Sequence, residues 1–117
     1  ERDRLTHPQC GASWEGYVIE EVLRAVEPQE AFFWATHQGA EIDLVLVKDG
    51  RLLGVECKMA DAPRLTPSIR IALEDLKLER IAVVYPGPQR YHLTNKVEVV
   101  PLTAAIEGMK GLFPEDK

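Results

Sequence analysis

Two apolar segments joined by Asp49-Gly50 constrain the fold of this chain more than any other feature. An Asp-Gly pair between alternating apolar residues is a strong signal for a two-residue hairpin turn. The preceding segment, 41–47 (EIDLVLV), and the following one, 51–58 (RLLGVECK), are therefore expected to be antiparallel neighbours in a sheet. Each strand then directs alternate side chains to opposite faces of that sheet.

Before the hairpin, the pattern predicts a helix and a strand. From Gly11 to Val26 the apolar residues recur every three or four positions, which is the spacing of an amphipathic helix. Pro28 and the acidic residues around it are expected to end this helix. The aromatic-rich segment 31–36 (AFFWAT) is typical of a β-strand.

After the hairpin, a second helix leads into further strands. Residues 68–76 have an apolar side at helical spacing, and 80–85 (RIAVVY) is a continuous apolar run typical of a strand buried on both faces. A short edge strand at 91–93, a strand at 97–100 and a terminal helix at 103–110 are expected to follow. The order α-β-β-β-α-β predicts an α/β domain with a mixed sheet flanked by helices.

Length and composition narrow the class of protein. At 117 residues, the chain is expected to form a single domain over residues 1–117. The formal net charge of −5 argues against a dedicated nucleic-acid binder with a basic surface, although it is compatible with a locally basic groove. No apolar run approaches the roughly 20 residues that cross a bilayer, so no membrane partner is expected. Cys10 and Cys57 have no metal-binding spacing, which is compatible with a reducing, cytoplasmic location.

The hairpin gathers charged residues on one face of the predicted sheet. Alternation directs Asp43 away from Ile42 and Leu44, and it places Glu56 and Lys58 together on the neighbouring strand. With the turn at positions 49–50, Asp43 and Glu56 fall nearly opposite each other. The simplest alternative is that this is only the solvent-exposed face of an ordinary hairpin.

Two carboxylates and an ammonium group in one patch predict a divalent-cation site. Mg²⁺ and Mn²⁺ prefer hard oxygen ligands in octahedral geometry, and Asp43 and Glu56 would supply such ligands. The main-chain carbonyl of Cys57 could complete the set. Lys58 beside the ion would help to orient or deprotonate an attacking water and would offset developing negative charge.

Glu15 is a fourth candidate. It continues the apolar stripe of the first helix, four residues before Ile19 and seven before Val22, so its carboxylate is expected to point toward the core side. A carboxylate there is unfavourable unless it is paired or metal-bound. The alternative is an ordinary first-turn glutamate favoured by the helix dipole.

Other polar residues give weaker signals. His37 lies in the loop between the first two strands and could contact phosphate, but an exposed loop histidine is the simpler interpretation. Zinc is not expected, because His7 and His92 have no ligand spacing with each other or with the cysteines. Scattered arginines, among them Arg80 and Arg90, could form a phosphate-facing rim or could be ordinary surface residues.

Together, Glu15, Asp43 and the Glu56-x-Lys58 motif resemble the PD-(D/E)xK nuclease superfamily. The proline of that signature is absent, since Ile42 precedes Asp43. The resemblance implies a restriction-endonuclease-like α-β-β-β-α-β core. It also implies that Asp43 and Glu56 bind the metal, that Glu15 acts through water, and that Lys58 is the catalytic lysine.

The superfamily often adds a polar residue from the helix that follows the metal-binding strands. In this chain that helix offers three such residues, and the sequence does not distinguish between them: Ser68, Arg70 and Glu74.

A closer resemblance covers nearly the whole chain. The phrases GASWEGYVIEEVL, FFWATHQGAEIDLVLV, LLGVECK and RIAVVYPG resemble the C-terminal domain of unknown function that follows the ATPase module in prokaryotic AAA+ ATPases. This implies a C-terminal fragment of a longer ATPase. The given sequence begins with Glu1 and not with methionine, which agrees with that expectation. Two functions are therefore expected as alternatives: metal-dependent hydrolysis of DNA phosphodiester bonds, or a non-catalytic accessory domain that binds a partner or regulates its ATPase.

Overall fold

The structure is a computed structural model that describes residues 13–115. The predictions that concern His7, Cys10 and Gly11 lie outside the described residues. The elements follow in the order α1 (Trp14–Val26), β1 (Glu30–Ala35), β2 (Glu41–Lys48), β3 (Arg51–Cys57), α2 (Pro67–Leu76), β4 (Arg80–Tyr85), β5 (Tyr91–Thr94), β6 (Val97–Pro101), α3 (Leu102–Ala105) and α4 (Met109–Leu112).

Both long helices begin and end with recognisable caps. The Ser13 side chain accepts a hydrogen bond from the Gly16 N–H at 2.9 Å, which satisfies one of the free donors at the start of α1. Thr66 caps α2 in the same way, 3.2 Å from the main-chain nitrogen three residues later. Each helix ends where the chain enters the left-handed region, at Glu27 (φ 52°) and Lys77 (φ 54°).

The six strands form one mixed sheet in the order β1-β2-β3-β4-β6-β5. The β1–β2 and β2–β3 pairs are antiparallel, the β3–β4 and β4–β6 pairs are parallel, and β5 returns antiparallel to β6. The hairpin turns at Asp49 (φ 53°) and Gly50 (φ 79°), as the Asp-Gly pair predicted. The mixed α/β sheet flanked by helices is therefore confirmed. Because α2 connects β3 to the parallel strand β4, its N-terminus lies at the same end of the sheet as the end of β3.

Apolar residues cover both faces of the sheet. Residues from α1, α3 and α4 pack on one face against side chains that include Leu44 and Val55. Residues from α2 pack on the other face against side chains that include Ile42 and Val45. The prediction that Ile42 and Leu44 share a face is thus wrong.

The cause is a β-bulge between β1 and β2. Phe32 pairs with Val45 and Trp34 pairs with Ile42, so two steps along β1 correspond to three steps along β2. The extra residue reverses the alternation within β2 at Asp43–Leu44. This irregularity lies at the predicted site.

The C-terminal region also differs from the prediction. Instead of one helix over 103–110, two short helices flank Gly108, which has a φ of 91°. A Cβ atom at this position would lie 3.1 Å from the Ala25 carbonyl oxygen of α1. Glycine permits both the left-handed conformation and the close approach to α1, and it interrupts the helix. Within residues 13–115, no helix is long and apolar enough to cross a membrane.

Candidate metal centre between two diverging strands

The regular pairing of β2 with β3 ends next to Asp43 and Glu56. Main-chain pairing runs from Lys48 and Arg51 at the turn to Leu44 and Val55. The next two residues, Asp43 and Glu56, are joined across the two strands by a hydrogen bond, in agreement with the predicted register.

Beyond this point the two carboxylates replace main-chain acceptors. The Asp43 N–H donates to Glu56 Oε1 at 3.1 Å. The Cys57 N–H donates to Asp43 Oδ2 at 2.8 Å. Each strand therefore satisfies a main-chain donor with a side chain from the other strand, which holds both carboxylates at the position where the sheet opens. The bulge in β2 occurs at this residue, and bulges commonly redirect a side chain and terminate pairing.

Burial makes the two negative charges unfavourable. Glu56 is only 7% exposed, and Asp43 is half-buried. Burial raises the pKa of Glu56 to about 8, with a further increase from the Asp43 charge and a partial decrease from the Lys58 ammonium. Burial also raises the pKa of Asp43; the Cys57 N–H opposes that shift and the Glu15 charge adds to it. At neutral pH without a cation, the pair is therefore expected to retain a proton.

Lys58 completes the cluster. Its Nζ lies 3.4 Å from Glu56 Oε2, and the side chain is 38% exposed, so it contacts both the buried carboxylate and solvent. The Lys58 N–H donates to the Val84 carbonyl at 2.9 Å, which continues the pairing with β4 just past the end of β3. The main chain of Lys58 is therefore held by the sheet, and its ammonium group remains accessible from outside.

The donor set fits a hard divalent cation. One oxygen of each carboxylate, Asp43 Oδ1 and Glu56 Oε2, accepts no main-chain hydrogen bond within residues 13–115. Cys57, the last residue of β3, lies between Glu56 and Lys58 and offers its main-chain carbonyl as a further oxygen donor. Mg²⁺ in proteins is commonly held by one or two carboxylates and several waters.

Side chains alone do not complete the coordination. Among the described residues, no group of three or more His, Cys, Asp or Glu side chains could hold a metal ion. An ion at the Asp43–Glu56 pair would therefore need main-chain oxygen and water for its remaining positions.

Glu15 lies near this cluster but in solvent. It occupies the first turn of α1 and is exposed, whereas Ile19, Val22 and Val26 are buried. Its charge nevertheless raises the pKa of both Asp43 and Cys57, which indicates proximity. The expectation that Glu15 continues the buried stripe is wrong, because its carboxylate at the end of the helix remains solvated.

In the described part of the chain, the other candidates form no hydrogen bond or ion pair with the cluster. On α2, Ser68 is half-buried, whereas Arg70 and Glu74 are exposed. His37 is exposed in the β1–β2 turn. Among the described residues, no hydrogen bond or ion pair joins any of these four side chains to Asp43, Glu56 or Lys58.

Sequence reasoning missed a second buried acid, Glu98 on β6. It is 7% exposed and lies 2.9 Å from Arg90 Nη1 and 3.6 Å from Arg80 Nη2. The same arginines donate to the Gly111 and Pro114 carbonyls, so they hold the C-terminal segment on the sheet. They do not form a free phosphate-facing rim. The sequence signal that could have indicated this buried acid is the glutamate among the valines of segment 97–100 (VEVV).

Comparison with known proteins places these residues in a family. A family model described as "Domain of unknown function (DUF4143)" matches residues 10–105. Uncharacterized proteins of Mycobacterium bovis and Mycobacterium tuberculosis are each 43% identical to the chain over 102 residues, which is 85% of this chain and 23% of each relative. The chain thus spans about a quarter of the length of these relatives. No solved structure matches it.

Proposed function

The chain belongs to the DUF4143 family, a domain of unknown function, and we propose that it is a metal-dependent nuclease-like domain that hydrolyses DNA phosphodiester bonds. One observation carries this proposal. The carboxylates of the buried Glu56 and the half-buried Asp43 lie side by side where the pairing of β2 with β3 ends, and an ammonium group lies 3.4 Å from Glu56. A buried acid pair is unfavourable for folding, and such groups cluster at functional sites.

The element order and the motif both support the nuclease-like interpretation. The order α1-β1-β2-β3-α2-β4 matches the α-β-β-β-α-β core of PD-(D/E)xK nucleases. Asp43 lies on β2, and Glu56-x-Lys58 lies at and just past the end of β3, an arrangement that resembles this superfamily's motif and supports the proposal. The charge of Glu15 on α1 raises the pKa of Asp43, and in this proposal Glu15 would act through a water molecule.

Each residue has a distinct role in this proposal. A bound Mg²⁺ or Mn²⁺ would polarise the phosphate and lower the pKa of an attacking water. Asp43, Glu56 and the Cys57 carbonyl would hold the ion, and the main-chain hydrogen bonds to Asp43 Oδ2 and Glu56 Oε1 would fix the ligand geometry. Lys58 would orient the attacking water and stabilise negative charge on the phosphate.

The longer relatives set the wider context. Because the chain covers only 23% of each mycobacterial relative, most of such a protein lies outside the domain. We propose that the native protein carries an N-terminal AAA+ ATPase module, which would supply DNA translocation or remodelling. The substrate structure on which the domain acts would then depend on that module.

Cleavage of plasmid and branched DNA tests the proposal. Wild-type protein is expected to nick or cut one of these substrates with Mg²⁺ or Mn²⁺ and not with EDTA. Asp43→Asn removes one negative ligand and retains the size of the side chain. It should reduce cleavage by at least about 100-fold, since it weakens the hold on an ion that supplies several kcal/mol of transition-state stabilisation. Asp75→Asn, an exposed acid of α2, is the matched control and should leave cleavage unchanged.

A second candidate function is favoured by the small number of side-chain ligands. Within residues 13–115 the site offers two carboxylates and no third His, Cys, Asp or Glu side chain as a metal ligand. A non-catalytic accessory domain that regulates its ATPase would not require a complete set of metal ligands. It predicts no cleavage with any metal, in the isolated domain or in the full-length protein, and an Asp43→Asn variant that regulates ATP hydrolysis as the wild type does.

A further inference from the structure

The outer side of β1 has an unusual combination of features for a sheet edge. In the strand order, β1 is terminal and pairs only with β2, so within residues 13–115 no strand covers its other side. Phe33 is 52% exposed and Phe32 is 39% exposed. Because adjacent residues of a strand project to opposite faces, both faces of this edge present a phenylalanine to solvent.

Most proteins protect an exposed edge with lysine, proline, a short strand or a bulge in the edge strand. The six residues of β1 include no lysine, arginine or proline, and the extra residue of the nearby bulge belongs to β2. The opposite edge is different. There β5 has four residues, its pairing with β6 is irregular, and a turn containing Lys96 follows it. The β1 edge is therefore open to pairing, whereas the β5 edge is protected.

The sequence of β1 is nearly symmetrical about Phe33. Residues 31–35 read Ala-Phe-Phe-Trp-Ala, which is a small residue, three aromatic residues and a small residue in either direction. A two-fold axis at Phe33 would bring a second copy of β1 alongside in antiparallel orientation. Each Phe32 would then face Trp34 of the other copy, each Ala31 would face Ala35, and Phe33 would face its own counterpart.

This register satisfies the rules for cross-strand pairs. Residues that face each other must project to the same side of the sheet, which requires a two-fold axis through a residue and not between residues. Aromatic pairs directly opposite each other stabilise antiparallel strands. Glu30, the acidic residue of β1, would face Thr36 of the other copy, so no carboxylate would oppose a carboxylate.

From these features we infer that β1 is a homodimerisation edge, through which two copies of the chain form one continuous twelve-stranded sheet. The occupant is a second copy because the aromatic pattern is complementary to itself. The inference is independent of metal binding and of nuclease activity, since it rests on β1 and not on Asp43 or Glu56.

Sedimentation equilibrium of the 117-residue chain is the first test. The wild type is expected to approach twice the chain mass of 13.2 kDa at micromolar concentration. Phe33→Lys would place two ammonium groups opposite each other at the two-fold axis, and it should raise the dimer dissociation constant at least about tenfold. Ile71→Lys is the matched control, because Ile71 is also an exposed apolar residue (38%) but lies on α2. It should leave the dissociation constant unchanged.

Disulfide trapping tests the register. In a Cys10→Ser background, Phe33→Cys should form a covalent dimer on mild oxidation, because directly opposed residues bring their Cβ atoms within about 5.5 Å. Phe32→Cys should cross-link much less, since residue 32 faces residue 34 in this register. A wild-type chain that stays monomeric up to about 1 mM would overturn the inference, as would a dimer that Phe33→Lys leaves intact. Dimers that Phe32→Cys traps better than Phe33→Cys would refute the register.

Discussion

Glu56→Gln is expected to make the protein more stable at neutral and alkaline pH, although it would disable the proposed metal centre. Glu56 is buried and has a pKa of about 8, against about 4.5 for an ordinary glutamate. Below pH 4.5 the carboxyl group is protonated in both folded and unfolded chains, so it adds no pH-dependent penalty. Between pH 4.5 and 8 the unfolded chain ionises while the folded chain keeps its proton, so stability falls as pH rises.

The gap between the two pKa values sets the size of the effect. At about 1.4 kcal/mol for each pH unit, it corresponds to an upper limit of about 5 kcal/mol above pH 8 and to roughly 3 kcal/mol at pH 7. Glutamine does not ionise. Its carbonyl can still accept from the Asp43 N–H, and its amide can donate to the Asp43 carboxylate. The variant therefore avoids the penalty and keeps the contacts.

Urea unfolding of wild type and Glu56→Gln from pH 4.5 to 9, with EDTA present, measures this difference. The variant should gain little at pH 4.5 and progressively more up to pH 8. Glu98→Gln is the matched control, because Glu98 is equally buried but lies between Arg80 and Arg90. That change should destabilise the protein by about 3 kcal/mol, since it leaves two arginines without a carboxylate. A stability difference for Glu56→Gln that does not grow with pH would refute the reasoning.

Two further changes test neighbouring parts of the structure. Lys58→Met removes the ammonium group 3.4 Å from Glu56, so the pKa of Glu56 should rise above about 8. A ¹³C carboxyl titration by NMR measures this pKa, and an unchanged value would show that the ion pair is absent in solution. Gly108→Ala should lower the free energy of unfolding by about 1–3 kcal/mol in thermal unfolding, because it puts the Cβ of a left-handed alanine 3.1 Å from the Ala25 carbonyl oxygen. Gly39→Ala is also left-handed but has no atom within 4 Å, so it should cause a smaller loss of stability. Equal losses would contradict a role for the contact with α1.

The sequence predicted the parts of the fold that depend on local periodicity. The Asp49-Gly50 turn set the register of the hairpin, and this register brought Asp43 next to Glu56. Alternation failed at the bulge, because an extra residue in β2 depends on the register with β1 and has no glycine or proline to mark it. This failure did not separate the acid pair, since Asp43, although it lies in the bulge, accepts a hydrogen bond from the Cys57 N–H and donates one to Glu56.

Tertiary contacts decided the features that the sequence did not predict. Glu15 has the spacing of a buried residue, but the end of α1 leaves it in solvent. The break at Gly108 follows from close packing against Ala25, a residue more than eighty positions away. The paired arginines around Glu98 likewise join β4, β6 and the C-terminal segment.

The contact between the buried carboxyl group of Glu56 and the half-buried one of Asp43 is the central feature of the site. Glu56 lowers the stability of the fold above pH 4.5, because burial keeps it protonated while the unfolded chain ionises, and glutamine would remove this penalty without enlarging any cavity. Sites that sacrifice stability in this way are commonly functional. A divalent cation would neutralise both carboxylates and displace the retained proton.

Isothermal titration calorimetry with Mn²⁺ tests this claim most directly. At pH 7, the wild-type chain should bind about one ion and release protons as Glu56 ionises, so the heat should depend on the ionisation enthalpy of the buffer. Asp43→Asn should weaken binding at least about tenfold and reduce the proton release, while Asp75→Asn should match the wild type. Absence of binding by the wild type, or equal binding by Asp43→Asn, would contradict the assignment of the Asp43–Glu56 pair as a metal centre.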